Sequence, residues 1–205
     1  MESALEALKR LQDGNRRFVS DVQGRGALAS QTRRSELVAE QNPFAIILGC
    51  SDSRVPAEII FDQGLGDLFV IRVAGNVVAP SQIGSVEYAV EQYGTPLVLV
   101  LGHSMCGAVQ AALQDLNRPT ERRSPNLHSI VSRIQPAVQA LLDADKVEHS
   151  DDLLQHAVRA NIRTSVEGLS HGSEIIENLI SSNKLRVVGA EYSIETGIID
   201  FFDGQ

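Results

Sequence analysis

The apolar positions of this chain follow two alternating rhythms. Short, mostly apolar runs at 44–48, 68–73, 97–101 and 185–190, interrupted by Arg72 and Arg186, have the length and β-branched content of strands, the first of them buried. Between them, apolar residues recur three and four apart, the spacing that lines one side of a helix. Helices are expected at 3–18, where Leu5, Leu8, Leu11 and Phe18 share a face, and at 30–41, capped by Ser30 and ended before Pro43. Two more are expected at 81–92 and 106–116, and a short one runs from Pro56 to Phe61, stopped by the turn glycines Gly64 and Gly66. The segment 117–126 turns to Arg, Pro, Ser and Thr and reads as an exposed loop. From 127 to 182 the pattern is helical, with breaks expected near Ser150 and at 170–172. A last apolar run, 197–202, follows 185–190 after a link short enough for an antiparallel hairpin.

Strands alternating with helices predict βαβ units. The expected fold class is therefore α/β, with a central, mainly parallel β-sheet of about four parallel strands plus an antiparallel edge strand. Helices flank the sheet, and an amino-terminal helical arm precedes it. The 205 residues contain no repeat, low-complexity tract or linker, and suit a single domain over 1–205. Its parts would be a helical arm at 1–42, an αβ core at 43–116, and a helical region with carboxy-terminal strands at 117–205.

A composition of 43% hydrophobic and 21% charged residues describes a globular chain. The net charge of -8 argues against nucleic acid as a partner, because phosphate backbones call for clustered Lys and Arg, and Arg122 with Arg123 is too small a cluster to change this. No run approaches the about 18 apolar residues of a membrane span, so no membrane partner is expected. Residues 1–11 lack the apolar stretch and cleavage site of a secretory signal. The expected location is cytoplasmic.

The chain has two cysteines, each directly behind a strand-like run: Cys50 opens Cys50-Ser51-Asp52-Ser53-Arg54, and Cys106 closes His103-Ser104-Met105-Cys106. If the two runs are neighbouring parallel strands, both thiolates and the His103 imidazole meet at the carboxyl edge of the sheet, where open α/β folds place their sites. Two Cys and one His suit zinc, and three protein ligands with a replaceable fourth mark a catalytic rather than a structural site. The plain alternatives are two buried core thiols beside a loop histidine, or one disulfide. Asp52, two residues from a thiolate, is in reach of a metal or its water. Arg54 can hold that carboxylate by paired N–H donors and depress its pKa.

Together, Cys50-Ser-Asp-Ser-Arg54 and His103-x-x-Cys106 resemble the β-class carbonic anhydrases. The resemblance runs from about Gln41 through Phe202 and includes Phe69-Val-Ile-Arg-Val-Ala-Gly-Asn76, Glu87-Tyr88-Ala89, Gly102 through Gly107, and Gly189-Ala-Glu-Tyr192. It implies one zinc ion per chain on Cys50, His103 and Cys106, with water or hydroxide fourth and hydrogen-bonded to Asp52, which Arg54 fixes. The implied reaction is reversible hydration of CO2 to bicarbonate and a proton, by attack of zinc-bound hydroxide. Gln41 matches a position whose amide binds a substrate oxygen, Phe69 and Tyr88 match a pocket wall partly shared between subunits, and Gly107 belongs to the same substrate region. The family is built on homodimers, often paired into dimers of dimers, with the amino-terminal helix wrapped on the partner. In some members the aspartate takes the fourth zinc position, a closed state open to Asp52. A regulatory bicarbonate site of another subgroup uses a tryptophan where this chain has Ile47, although Arg72 matches a second position of that site.

Other readings compete. The same zinc site could hydrolyse carbonyl sulfide or carbon disulfide, or sense bicarbonate without turnover. A nucleophilic Ser104 in a G-x-S-x-G-like turn, with His171 and Asp151 or Asp152, is a third, weakened because Cys106 replaces the second glycine. Gly24-Arg-Gly-Ala-Leu-Ala29 imitates a dinucleotide fingerprint but has no strand before it. His128, His149, His156 and His171 read as surface or capping residues, one of which could relay protons.

Overall fold

The structure is a computed structural model that describes residues 2–22, 30–117, 124–143 and 153–204. The Gly24 to Ala29 motif, Arg122, Arg123, His149, Asp151, Asp152, most of the expected 117–126 loop and the break near Ser150 lie outside these residues. Five strands form one sheet: β1 (Ala45–Gly49), β2 (Leu68–Arg72), β3 (Leu97–His103), β4 (Arg186–Tyr192) and β5 (Ile199–Asp203). Their order is β2-β1-β3-β4-β5. The first four are parallel, and β5 pairs antiparallel with β4 at the edge.

Every residue of β1 and β3 is buried, which is why their sequence runs apolar without alternation. Successive side chains point to opposite faces, and the core is split accordingly. Ile46, Leu48, Cys50, Val98 and Val100 face one cluster, while Ala45, Ile47, Leu97, Leu99 and Leu101 face the other.

The helices are α1 (Ala4–Val19), α2 (Gln31–Glu36), α3 (Ala57–Ile60), α4 (Pro80–Tyr93), α5 (Gly107–Asn117), α6 (Pro125–Asp143), α7 (Leu153–Ser170) and α8 (Glu174–Ser181). Ser3 and Glu6 close a capping box on α1, each satisfying a backbone donor the helix leaves free. The buried face of α1 is Ala7, Leu8, Leu11, Gly14 and Asn15. Leu5, expected on that face, is 63% exposed, because at 3.6 residues per turn it lies about 120° from the stripe through Leu11. The Asn15 amide is fully used: Nδ2 donates to the carbonyls of Ile60 and Gly197 at 3.1 and 2.9 Å, and Oδ1 accepts from the Ile199 N–H at 3.0 Å.

Ser30 caps α2 as expected, but the helix ends at Glu36 rather than 41. None of its residues is buried, so tertiary packing does not carry the helix further. Among the described residues, no helix is long and apolar enough to cross a membrane.

Candidate metal centre

The chain steps from β1 to β2 on one side and then back past β1 to β3, so β1 and β3 are adjacent with connections leaving in opposite directions. Such a switch point opens a crevice at the strand carboxyl ends. Gly49 pairs with Leu101 there, so Cys50, just beyond β1, lies beside Gly102 and His103 at the end of β3. Cys106 follows Met105, whose positive φ of 59° turns the chain into α5. Ligand atoms of Cys50, His103 and Cys106 all lie within 4.8 Å of one another, and the three residues are 5%, 0% and 1% exposed.

His103 Nδ1 lies 2.9 Å from the Ser104 carbonyl, so that nitrogen carries the proton and donates it. Nε2 is left as a bare lone pair, buried and without a hydrogen-bond partner. A buried polar atom in that condition costs free energy unless something fills its place. Cys50 Sγ accepts from the Gly75 N–H at 3.3 Å.

The sulfurs shift in opposite directions. The Cys106 hydrogen bond outweighs burial and lowers the Cys50 pKa, helped by His103 and the Gly75 N–H. The hydrogen bond from Cys50 and then burial raise that of Cys106. A cation between the two sulfurs would stabilise both as thiolates. Burial opposes a proton on His103, but the nearby Cys50 sulfur, the Ser104 carbonyl and Asp52 together raise its pKa. Two soft sulfurs and an imidazole with an unpartnered nitrogen fit a zinc-like ion, and leave one of four tetrahedral positions to a non-protein ligand.

Asp52 stands at the rim with Oδ2 3.9 Å from His103 Nε2. Arg54 grips it three ways: Nε to Oδ1 at 2.9 Å, Nη2 to Oδ2 at 2.7 Å and its main-chain N–H to Oδ1 at 3.0 Å. The Arg54 side-chain hydrogen bonds hold the Asp52 carboxyl well below the usual carboxylate range, against the effect of burial. Asp52 is therefore an acceptor turned to Arg54. Arg72 braces the same loop from β2, donating to the carbonyls of Cys50 at 3.0 Å and Asp52 at 2.6 Å.

Gly107, the first residue of α5, adjoins Cys106. Gln41, Phe69 and Tyr88 gather elsewhere, around Tyr93. Gln41 Nε2 donates to the Tyr93 hydroxyl at 2.9 Å, and the Phe69 ring lies 6.3 Å from Tyr88 and 6.2 Å from Tyr93. Phe69 pairs with Ile46, four residues before Cys50, hence about 13 Å upstream along the strand. Within one chain, this cluster and the three donors are separate.

Sequence reasoning missed the support behind the donors. Asn161 donates to the Gly75 carbonyl at 2.8 Å and Ser165 to that of Asn76 at 3.0 Å. Their signal was present: two polar residues four apart within the buried stripe Ala157, Val158, Ile162 and Leu169 of α7. The serine-nucleophile reading gains nothing from the described residues. Ser104 Oγ accepts from the Ile194 N–H at 3.0 Å, and His171 is an exposed residue beside Glu177. His128 and His156 are exposed as expected.

Sheet and site define an α/β protein with three donors at its switch point that could hold a metal ion. The carbonic anhydrase family model matches residues 45–199. Carbonic anhydrase 2 of Mycobacterium tuberculosis is 42% identical over 193 residues, 93% of this chain and 89% of the relative. Among solved structures, the β-carbonic anhydrase CcaA superposes with a TM-score of 0.78 at 29% identity, covering 97% of this chain and 92% of the other. A tetrameric β-carbonic anhydrase of the filamentous ascomycete Sordaria macrospora gives 0.73 at 25% identity, covering 82% and 85%. The chain belongs to the carbonic anhydrase family, in its β class, and is an enzyme of the lyase kind.

Proposed function

We propose that this enzyme hydrates CO2 reversibly to bicarbonate and a proton, with one zinc ion held by Cys50, His103 and Cys106. The observation that carries the reading is the buried, unpartnered Nε2 of His103, set among two sulfurs and within 3.9 Å of Asp52 Oδ2. Bound there, zinc would lower the pKa of water from 15.7 toward about 7, making a nucleophile for CO2 available at neutral pH. Asp52, ionised and turned toward Arg54, accepts a hydrogen bond from the attacking water and aims its lone pair away from the carboxylate. Arg54 keeps Asp52 in that post and out of the fourth metal position. The apolar surroundings of the donors favour uncharged CO2 over the bicarbonate that must leave. The proton released goes to buffer.

The working unit of this reading is a homodimer or a dimer of dimers. Three features support it: the tetrameric Sordaria macrospora relative, the place of β2 at the edge of the sheet among the described residues, and a Gln41, Phe69 and Tyr88 cluster too far from its own chain's donors to wall their pocket. Tyr88 is 52% exposed, as a wall offered to a second subunit would be. A cytoplasmic location is part of the same reading.

Stopped-flow CO2 hydration with a pH indicator, on protein assayed for zinc, tests it. Activity with one zinc per chain, lost together with the metal in Cys106→Ser, is the expected result. Stoichiometric zinc without CO2 hydration at any pH would overturn the reading and direct assays to carbonyl sulfide and carbon disulfide.

A further inference from the structure

Tyr93 was not among the residues the sequence singled out, yet it touches Gln41, Phe69 and Tyr88, three of the four substrate-region residues that were. Its hydroxyl accepts from Gln41 Nε2 at 2.9 Å and lies 3.5 Å from the Tyr88 hydroxyl. Its ring stands edge-on to Tyr88 with centroids 5.9 Å apart, and 6.2 Å from Phe69. Tyr93 closes α4, and the next residue, Gly94, ends the helix in the left-handed conformation, so the phenol is anchored on a regular element. Gln41, by contrast, lies in an irregular exposed segment before β1, and among the described residues Tyr93 is the side chain that bonds its amide.

We infer that Tyr93 is a positioning residue: its hydroxyl fixes the plane of the Gln41 amide, so that the second amide hydrogen points at a substrate oxygen. The inference rests on the proposed CO2 hydration and on Gln41 meeting substrate there. A phenol suits the task because it accepts from Nε2 or, with the amide turned over, donates to Oε1. The Tyr88 hydrogen bond and burial raise the Tyr93 pKa, so the hydroxyl stays neutral and keeps both capacities. Without it, the amide of a surface glutamine has several rotamers to lose on meeting substrate.

The test compares zinc-loaded wild type, Tyr93→Phe, Gln41→Ala and the double variant. Tyr93→Phe keeps the ring contacts and removes only the hydroxyl. The expected result is a rise of about three- to tenfold in KM for CO2 and for bicarbonate. kcat, zinc content and melting temperature stay at wild-type values, since binding common to ground and transition states is what is lost. Bicarbonate affinity measured by calorimetry falls by the same factor. In the Gln41→Ala background, Tyr93→Phe adds nothing further. An unchanged KM in Tyr93→Phe, with wild type active, overturns the inference and leaves the hydratase reading standing; so does a further rise on top of Gln41→Ala. Gln41→Ala with wild-type kinetics overturns it as well, because the amide then has no role to be positioned for. Zinc-loaded wild type that fails to hydrate CO2 removes the hydratase reading itself, and this inference with it.

Discussion

Asn161 and Gly75 are 86 residues apart, and the Asn161 side-chain amide donates to the Gly75 carbonyl at 2.8 Å. The N–H of the same glycine meets Cys50 Sγ at 3.3 Å. A helix on one face of the sheet thereby steadies the N–H that meets the Cys50 sulfur. Asn161→Leu keeps much of the volume but leaves a buried carbonyl without its partner, at a cost of about 1–3 kcal/mol. Thermal unfolding should show that loss, and zinc affinity measured by chelator competition should fall about 10- to 100-fold. Unchanged zinc affinity would confine Asn161 to holding the fold.

The folded-state pKa of Asp52 lies below its unfolded value of about 3.9. Stabilisation by the Asp52 and Arg54 pair is therefore complete above that value and is lost as pH falls through the folded pKa. Asp52→Asn should melt lower than wild type at neutral pH, with the gap narrowing in increasingly acid buffer. A gap that stays constant as the pH is lowered from 7 to well below about 4 would mean that the ion pair contributes nothing to stability.

Arg72 donates to two carbonyls of the metal loop, Cys50 and Asp52. Arg72→Gln cannot span both, so the loop that aims Asp52 loosens. The expected outcome is a loss of about tenfold or more in kcat/KM for CO2 hydration, with the secondary structure seen by circular dichroism unchanged. Wild-type kinetics would show that Arg54 alone is sufficient.

A Cβ on Gly14 would stand 1.8 Å from the Phe61 carbonyl oxygen. The obstacle is backbone, so no side chain can swing aside, and α1 must lift from the segment after α3. Gly14→Ala should cost about 1–3 kcal/mol, roughly 2–12 °C in melting temperature for a chain of this size. A melting curve superposable on wild type would mean that α1 shifts without cost.

Removing zinc should lower the melting temperature, because an ion that binds only the folded donors stabilises them by mass action. Dialysis against a chelator, followed by scanning calorimetry with and without added zinc, measures the shift. Identical transitions would exclude a tightly held ion.

The strands were legible because β1 and β3 are buried on both faces and so carry unbroken apolar runs, and the antiparallel edge was legible in the short link before β5. The gathering of Cys50, His103 and Cys106 was legible because thiols are rare here and both follow such a run. The true end of α2 was hidden, since a helix with no buried residue leaves no periodicity to read. The bracing role of Arg72, which the sequence offered only as a match to a regulatory bicarbonate position, was hidden because its partners are main-chain carbonyls, which no side-chain pattern records. The gathering of Gln41 and Phe69 around Tyr93 depends on α4 returning beside β2, a matter of tertiary path rather than spacing.

Asn15 bonds Gly197, 182 residues further along. At about 5–20 residues per second, a ribosome delivers that partner on the order of ten to thirty-five seconds after Asn15 emerges. For that interval α1 has the turn after α3 to dock on and lacks the carboxy-terminal part of its docking surface. Its buried stripe of Ala7, Leu8 and Leu11 is then partly open to water, and the nascent chain is most vulnerable to aggregation until the carboxy-terminal hairpin arrives to fasten the helix down.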